Sequence, residues 1–215
     1  MKAPVKTSGG GYEPAPAGAF MARVQGLIDM GTQEKTYKGI VSEARLVTVF
    51  FELIGETRKY TEDGVEKEAP ILVSLWSKTL SMAEKAWLRK VTDATLNTGS
   101  LDDDTASTVE LKDMLGKPCL VTIEHEVGKD GKTYANIKNI SQLPKGALVA
   151  PMLSETSYFS FDDSTTADLA KLSERMQEHI KKAAEYQAFA NGNTQDIWSV
   201  PTSEPEELSP DSIPF

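Results

Sequence analysis

The hydrophobic period changes several times along the chain, and each change marks an element. From Ala19 to Met30, Phe20, Ala22, Val24, Gly26 and Ile28 alternate with Met21, Arg23, Gln25, Leu27 and Asp29, a period of two that predicts a half-buried strand. A polar connection, GTQEKTYKG, leads to a second strand over Ala44–Ile54. There Val47, Val49, Phe51 and Leu53 share one face, and Leu46, Thr48, Phe50 and Glu52 share the other. The charged segment GETRKYTEDGVEKEAP reads as a hairpin turning at Asp63-Gly64. A third strand at Ile71–Lys78 directs Ile71, Val73 and Leu75 inward and Leu72, Ser74, Trp76 and Lys78 outward.

The period then lengthens. Ser81 and Glu84 have the spacing of a capping box ahead of Ala83, Ala86, Trp87, Leu88 and Val91, which predicts a helix from Ser81 into the mid-nineties with Trp87 in the core. Residues 97–108 form a polar insertion, and Val109–Leu115 reads as a short helix stopped by Gly116 and Pro118. Strands at Cys119–Val127 and Thr133–Leu143 flank GKDGK, whose Asp130-Gly131 is a hairpin signal. Residues 146–166 look irregular. From Ala167 to Ala190, Leu169, Leu172, Met176, Ile180 and Ala183 recur at spacings of three and four, which predicts one amphipathic helix. It either docks on the strands or pairs two copies through a coiled-coil seam.

Three strands, a helix and two strands is the element order of the OB-fold, a mainly β, five-stranded barrel that presents strands and loops to oligonucleotides or oligosaccharides. A ferredoxin-like chain would place a helix after the first strand, and the pattern shows none there. The predicted organisation is a flexible N-terminal arm (1–18, rich in Gly, Pro and Ala), an OB-fold domain (19–145), an extension carrying the amphipathic helix (146–190) and an acidic tail (191–215). The tail holds Pro201, Pro205, Pro210 and Pro214 and no Lys or Arg, so it is expected to be disordered.

Composition fits a globular protein: 215 residues, 40% hydrophobic and 26% charged, with no apolar run near the roughly 18 residues of a membrane span. No secretory pattern opens the chain, so the expected location is cytoplasmic. One cysteine and two histidines argue against a disulfide framework or a structural zinc site. The net charge of −9 would count against a nucleic-acid partner if it were uniform. It is not: residues 1–150 carry 19 Lys+Arg against 20 Asp+Glu, whereas residues 191–215 carry none against five. A nearly neutral body can gather its cations on one face.

The predicted outward positions are Arg23, Gln25, Phe50, Trp76, Lys78, Tyr134, Asn136 and Lys138. Rings interleaved with cations suit a groove in which bases stack and phosphates meet ammonium or guanidinium groups. The loops agree: Lys35, Tyr37 and Lys38 lie between the first two strands, Arg58, Lys59 and Tyr60 follow the second, and Lys129 and Lys132 bracket the last hairpin. Glu52, Glu124 and Glu126 would repel phosphates, so the groove does not cover every outward position. The tail closes on Asp211, Ser212, Ile213, Pro214 and Phe215, offering a ring and a carboxylate to an apolar pocket rimmed by cations; a solubilising tail is the alternative.

Catalysis has little support. The sequence contains no Walker loop, HExxH or Gly-x-Ser-x-Gly, and His125 alternates with Ile123 as a core histidine would. Asp102, Asp103 and Asp104 read as a solvated loop, and no cofactor or metal is expected. An interaction adaptor without nucleic-acid binding is the competing function class.

SIPF at the C-terminal end resembles the acidic tip of bacterial single-stranded-DNA-binding proteins. AGAFMARVQGLIDMGTQ, FFELIGE, LGKPCLVTIEHE and GKTYANIKNISQLPKG resemble segments of phage-encoded proteins of that class. The resemblance implies an OB-fold that coats single-stranded DNA in phage replication, recombination and repair, and hence a place in the host cytoplasm. It implies that Ile213, Pro214 and Phe215 hook replication or repair enzymes, and that Lys132 and Tyr134 of the last hairpin contact DNA.

Overall fold

In the computed structural model, which describes residues 13–37, 40–62, 64–96 and 101–192, the first three strands run well past their hydrophobic alternation. They are β1 (Gly18–Tyr37), β2 (Ile40–Glu62) and β3 (Val65–Thr79). Residues 31–37 of the expected polar connection are strand, and the charged segment is the hairpin that joins β2 to β3, because a backbone ladder continues wherever its partner does, whatever the side chains face. Lys59 pairs with Glu66 at 2.7 Å and Lys67 with Glu62 across the β2–β3 hairpin. These pairs are open to water and add little stability. Gly64 takes the turn with φ +77.

The helix between β3 and β4 is present but shorter than predicted: α1 spans Trp87–Thr95. The Ser81 hydroxyl accepts a bond from the amide of Ala83, a local turn, and the extended Ala86 precedes the helix without a side-chain cap. Trp87 therefore sits at the first helical position, half-buried with the Lys90 ammonium 5.0 Å over its ring, and is not a core residue. The polar insertion contains α2 (Asp103–Ser107), started by Asp102, whose carboxylate accepts from the amide of Thr105 at 2.7 Å. Val109–Leu115 reduces to a 3-10 turn at Leu111–Met114.

β4 (Pro118–Val127) and β5 (Thr133–Ser141) form the last hairpin, antiparallel, with β4 also antiparallel to β1. Between Thr122 and Ile123 the register with β5 slips from Asn139 to Ile137, so Lys138 is the extra residue of a bulge. The strand order is β3-β2-β1-β4-β5, with a short β6 (Ser157–Phe159) on β1 inside the stretch expected to be irregular. The protein is thus mainly β, with a five-strand antiparallel path and a helix between its third and fourth strands. No helix separates β1 from β2, contrary to a ferredoxin-like order.

The single amphipathic helix of the extension is three short ones: α3 (Thr166–Ala170), α4 (Glu174–Ile180) and α5 (Tyr186–Ala190). Ser173 is extended, with ψ 149, and breaks the run, while a reciprocal Thr165/Asp168 capping box starts α3. The predicted apolar face survives the breaks. Leu169, Leu172, Met176, Ile180 and Ala183 are all buried within this chain, so they do not form an open dimer seam.

Two compact units interleave along the sequence. The first takes in the chain to Leu27, Val49–Trp76 and Ser81–Ser157. Its core includes Ala22, Val24, Phe51, Leu53, Leu75, Leu88, Val91, Met114, Val121 and Ile123. Cys119 belongs to it, and burial pushes its thiol up to about 12. Because the thiolate is the nucleophile, the folded protein is expected not to react with a thiol-disulfide reagent at pH 8 and to release one equivalent on unfolding. A rapid colorimetric reaction before denaturant is added would contradict this burial.

The second unit takes in Ile28–Thr48, Ser77–Leu80 and the chain from Tyr158. Phe159, Phe161 and Phe189 meet edge to face with centroids 5.3 to 5.5 Å apart. Asp29 accepts from Arg45, which also meets Asp162 at 3.0 Å. The buried Glu185 accepts from the amide of Thr32 at 2.8 Å and from its hydroxyl at 2.6 Å.

Candidate nucleic-acid interface

Within the first unit, the outward faces of β1 and β2 are not open. Residues 149–157 lie over them as a strap. The Arg23 guanidinium donates to the carbonyls of Val149 and Ala150, at 3.0 and 2.9 Å, and to Gly116 at 2.8 Å. The Gln25 amide donates to the carbonyl of Glu155 at 2.6 Å. Gly26 leaves room for the Phe50 ring and the Ser157 carbonyl, since a Cβ there would lie 3.2 Å from the ring. Glu52 is only 1% exposed, and its carboxylate accepts from the amides of Leu153 and Ser154, at 2.7 and 2.9 Å, and from the Ser154 hydroxyl.

Among the described residues no buried side-chain nitrogen or oxygen lacks a hydrogen-bond partner, which is how a buried carboxylate is tolerated. Arg23 is therefore engaged with the strap, and Phe50 is half-buried beside Gly26. The signal lay in β2 itself: Leu46 and Phe50 on the second face make the strand apolar on both sides, the pattern of a doubly covered strand.

The tip of the β4–β5 hairpin stands clear. Tyr134 is 46% exposed, its ring lies against Gly128, and its hydroxyl donates to Asp130 at 2.7 Å. That bond holds the Asp130 carboxyl below its usual range and raises the Tyr134 phenol. The Lys132 ammonium is 3.9 Å from Asp130. Lys138, on the bulge, pairs with Glu126, which also accepts from Asn136 at 2.6 Å. Lys138 is raised by this bond, and Glu126 is held low by Lys138 first and Asn136 second.

A cleft of about 620 Å³ lies elsewhere in the same unit, lined by Thr57, Arg58, Lys59, Ile71, His125 and the segment Glu13–Pro16. Arg58 donates to the carbonyl of Glu13, and a ring nitrogen of His125 lies 2.8 Å from the carbonyl of Ala15. His125 is thus exposed at a cleft rather than a core residue, because β4 leaves the core after Ile123 and its alternation no longer reports burial. Tyr60, next to Lys59 in sequence, is 43% exposed, and Trp76 is half-buried. Sequence reasoning reached Arg58 and Lys59 but missed Thr57 and His125, which only the fold brings to them.

In the second unit, Lys35 donates to the Thr79 hydroxyl at 3.1 Å. Its proton affinity is lowered, first by burial and then by the charge of Lys78. Tyr37 ends β1. Lys38 and the tip residues Asp211, Ile213, Pro214 and Phe215 lie outside the described residues.

No family model, curated protein or solved structure matches the chain. Among the described residues no group of acidic, histidine and cysteine side chains could hold a metal ion, and no helix is long and apolar enough to cross a membrane.

Proposed function

We propose that the protein binds single-stranded DNA without sequence preference, through an OB-type arrangement of its five strands. In this reading it coats strands during phage replication, recombination and repair, and its C-terminal tip recruits partner enzymes. The observation that carries the reading is the exposed Tyr134 ring at the last hairpin, flanked by Lys132. A ring and a cation side by side give a base a stacking platform and its phosphate a counter-charge. The Arg58/Lys59 cleft and the Lys35/Lys78 pair add cationic surface in each unit.

Titrating tryptophan fluorescence with oligo-dT tests this. We expect saturable binding that weakens linearly in log salt, with a slope near −0.7 per phosphate, and little response to duplex. Tyr134→Ala should weaken binding by about 1–3 kcal/mol, roughly 5- to 150-fold. Absence of binding by both fluorescence and anisotropy would overturn the reading.

The second reading, an interaction adaptor, draws on the strap. Leu148 is 93% exposed and Leu153 70% exposed, beside backbone that Arg23 and Glu52 pin in place. Rigidly held apolar side chains in water suit a protein partner. An adaptor would show no salt-dependent line with oligonucleotides.

A further inference from the structure

Lys132 and Lys138 of the last hairpin are each already held by a carboxylate of that same hairpin. At the tip, three donors converge on Asp130. The Tyr134 hydroxyl donates to Oδ2 at 2.7 Å, the Lys132 amide donates to Oδ1 at 3.2 Å, and the Lys132 ammonium lies 3.9 Å from Oδ2. Further along the strands, Glu126 takes the Lys138 ammonium on one oxygen and the Asn136 side-chain amide, at 2.6 Å, on the other. Glu126 stands directly opposite Tyr134 in the β4–β5 register, so the second carboxylate shares the ring's side of the sheet.

These pairs do little for folding. The side chains of Lys132 and Asp130 are 77% and 44% exposed, and ion pairs so open to water contribute little stability. The turn does not need the charge either, since Gly131 supplies the positive φ of +75 and Asn-Gly serves a tight hairpin as well as Asp-Gly. What the two carboxylates do is fill the donors that a phosphate beside a stacked base would use. A carboxylate and a phosphodiester each offer a pair of oxygens sharing one negative charge, and ammonium, hydroxyl and amide donors match both.

We propose that Asp130 and Glu126 are internal stand-ins for strand phosphates. Binding exchanges the Asp130 carboxylate for one phosphate on Lys132 and Tyr134, and the Glu126 carboxylate for another on Lys138 and Asn136. This rests on the single-stranded-DNA reading above and adds to it how the hairpin regulates its own grip. A displaced carboxylate stays tethered beside the site at high effective concentration, so each phosphate contact is weaker and released faster than the lysines alone would allow.

Asp130→Asn tests the exchange, because it removes the charge and leaves an amide oxygen that still accepts from Lys132 or Tyr134. Titrated with oligo-dT across several salt concentrations, it should bind several-fold tighter than the unsubstituted chain at low salt. Its salt slope should steepen by about 0.7, the share of one more phosphate. Glu126→Gln should do the same through Lys138. If Asp130 served only to hold the ring, Asp130→Asn would be neutral and Asp130→Ala would bind more weakly. Equal affinity and slope in Asp130→Asn and the unsubstituted chain would overturn the exchange and leave the DNA reading intact.

A second probe stands apart from DNA. Inorganic pyrophosphate should shift the Lys132 amide resonance of full-length Asp130→Asn at concentrations that leave the unsubstituted chain unmoved. That response in proteins that ignore oligo-dT would uphold the exchange at a phosphate site and overturn the DNA reading. Silence of both proteins toward both probes would overturn the two together.

Discussion

Gly31→Ala is expected to destabilise the protein by about 2–5 kcal/mol, a large effect for the addition of one methyl group. Two costs combine. Gly31 has φ +69, where a side chain costs roughly 1–2 kcal/mol. Its missing Cβ would also lie 2.3 Å from the Cβ of Ala183, 2.7 Å from the Phe161 ring and 2.9 Å from the Glu185 carboxylate. Overpacking of this kind costs roughly a further 1–3 kcal/mol, and two of the three neighbours are too short or too confined to swing aside. The clash falls where the Glu185 carboxylate holds the amide and hydroxyl of Thr32, so the segment around Ala183 should detach from β1. Chemical denaturation should show the loss, and limited proteolysis should cut within 158–192 before the rest. A midpoint shift worth less than about 1 kcal/mol would mean that Gly31 does not hold this close approach.

Glu52→Ala is the second large effect, and it should be local. The substitution leaves three donors of the strap, the amides of Leu153 and Ser154 and the Ser154 hydroxyl, without their acceptor. Hydrogen bonds to a charged group contribute roughly 1.5–3 kcal/mol each, but the strap can recover hydration by lifting away, which limits the global cost to about 2–3 kcal/mol. The expected result is fast amide exchange at Leu153 and Ser154 and early cleavage in 146–157, with the core still protected. Glu52→Gln should fall between, because an amide keeps one acceptor and turns a donor toward the other amide. Retained slow exchange at Leu153 in Glu52→Ala would show that Arg23 and Gln25 hold the strap alone. The two functional readings diverge on the same variant. Freeing Arg23 and Gln25 should strengthen oligo-dT binding if a strand can use that face, and should weaken a protein partner that reads Leu148 and Leu153.

The element order was legible in the sequence because alternation in β1 and β2 and the Asp130-Gly131 turn depend on near neighbours. Strand length was not, since charged residues such as Lys59 and Glu66 carry no apolar period and yet pair across a ladder. Leu169, Leu172, Met176, Ile180 and Ala183 show the same division: burial followed from spacing, while the break at Ser173 did not. At the candidate interface, Tyr134 and Lys132 were reached by sequence and stand exposed. Arg23 and Gln25 were assigned to an open face because nothing local in 149–157 announces that it lies over them. A cover supplied from more than a hundred residues away is a tertiary fact.

The interleaving of the two units bears on how the chain is made. Thr32 waits for Glu185, 153 residues later, and the Phe159, Phe161 and Phe189 cluster forms only when the last described helix has been synthesised. Contacts so distant in sequence close slowly, and a nascent chain carries the unsatisfied half of β1 and β2 meanwhile. A ribosome that has reached residue 145 has produced Ile28, Met30, Leu46 and Val47 but not the phenylalanines and leucines of the unit that buries them. A fragment cut at that point inherits the same exposed apolar strands permanently, so it should precipitate where the chain through residue 192 stays in solution.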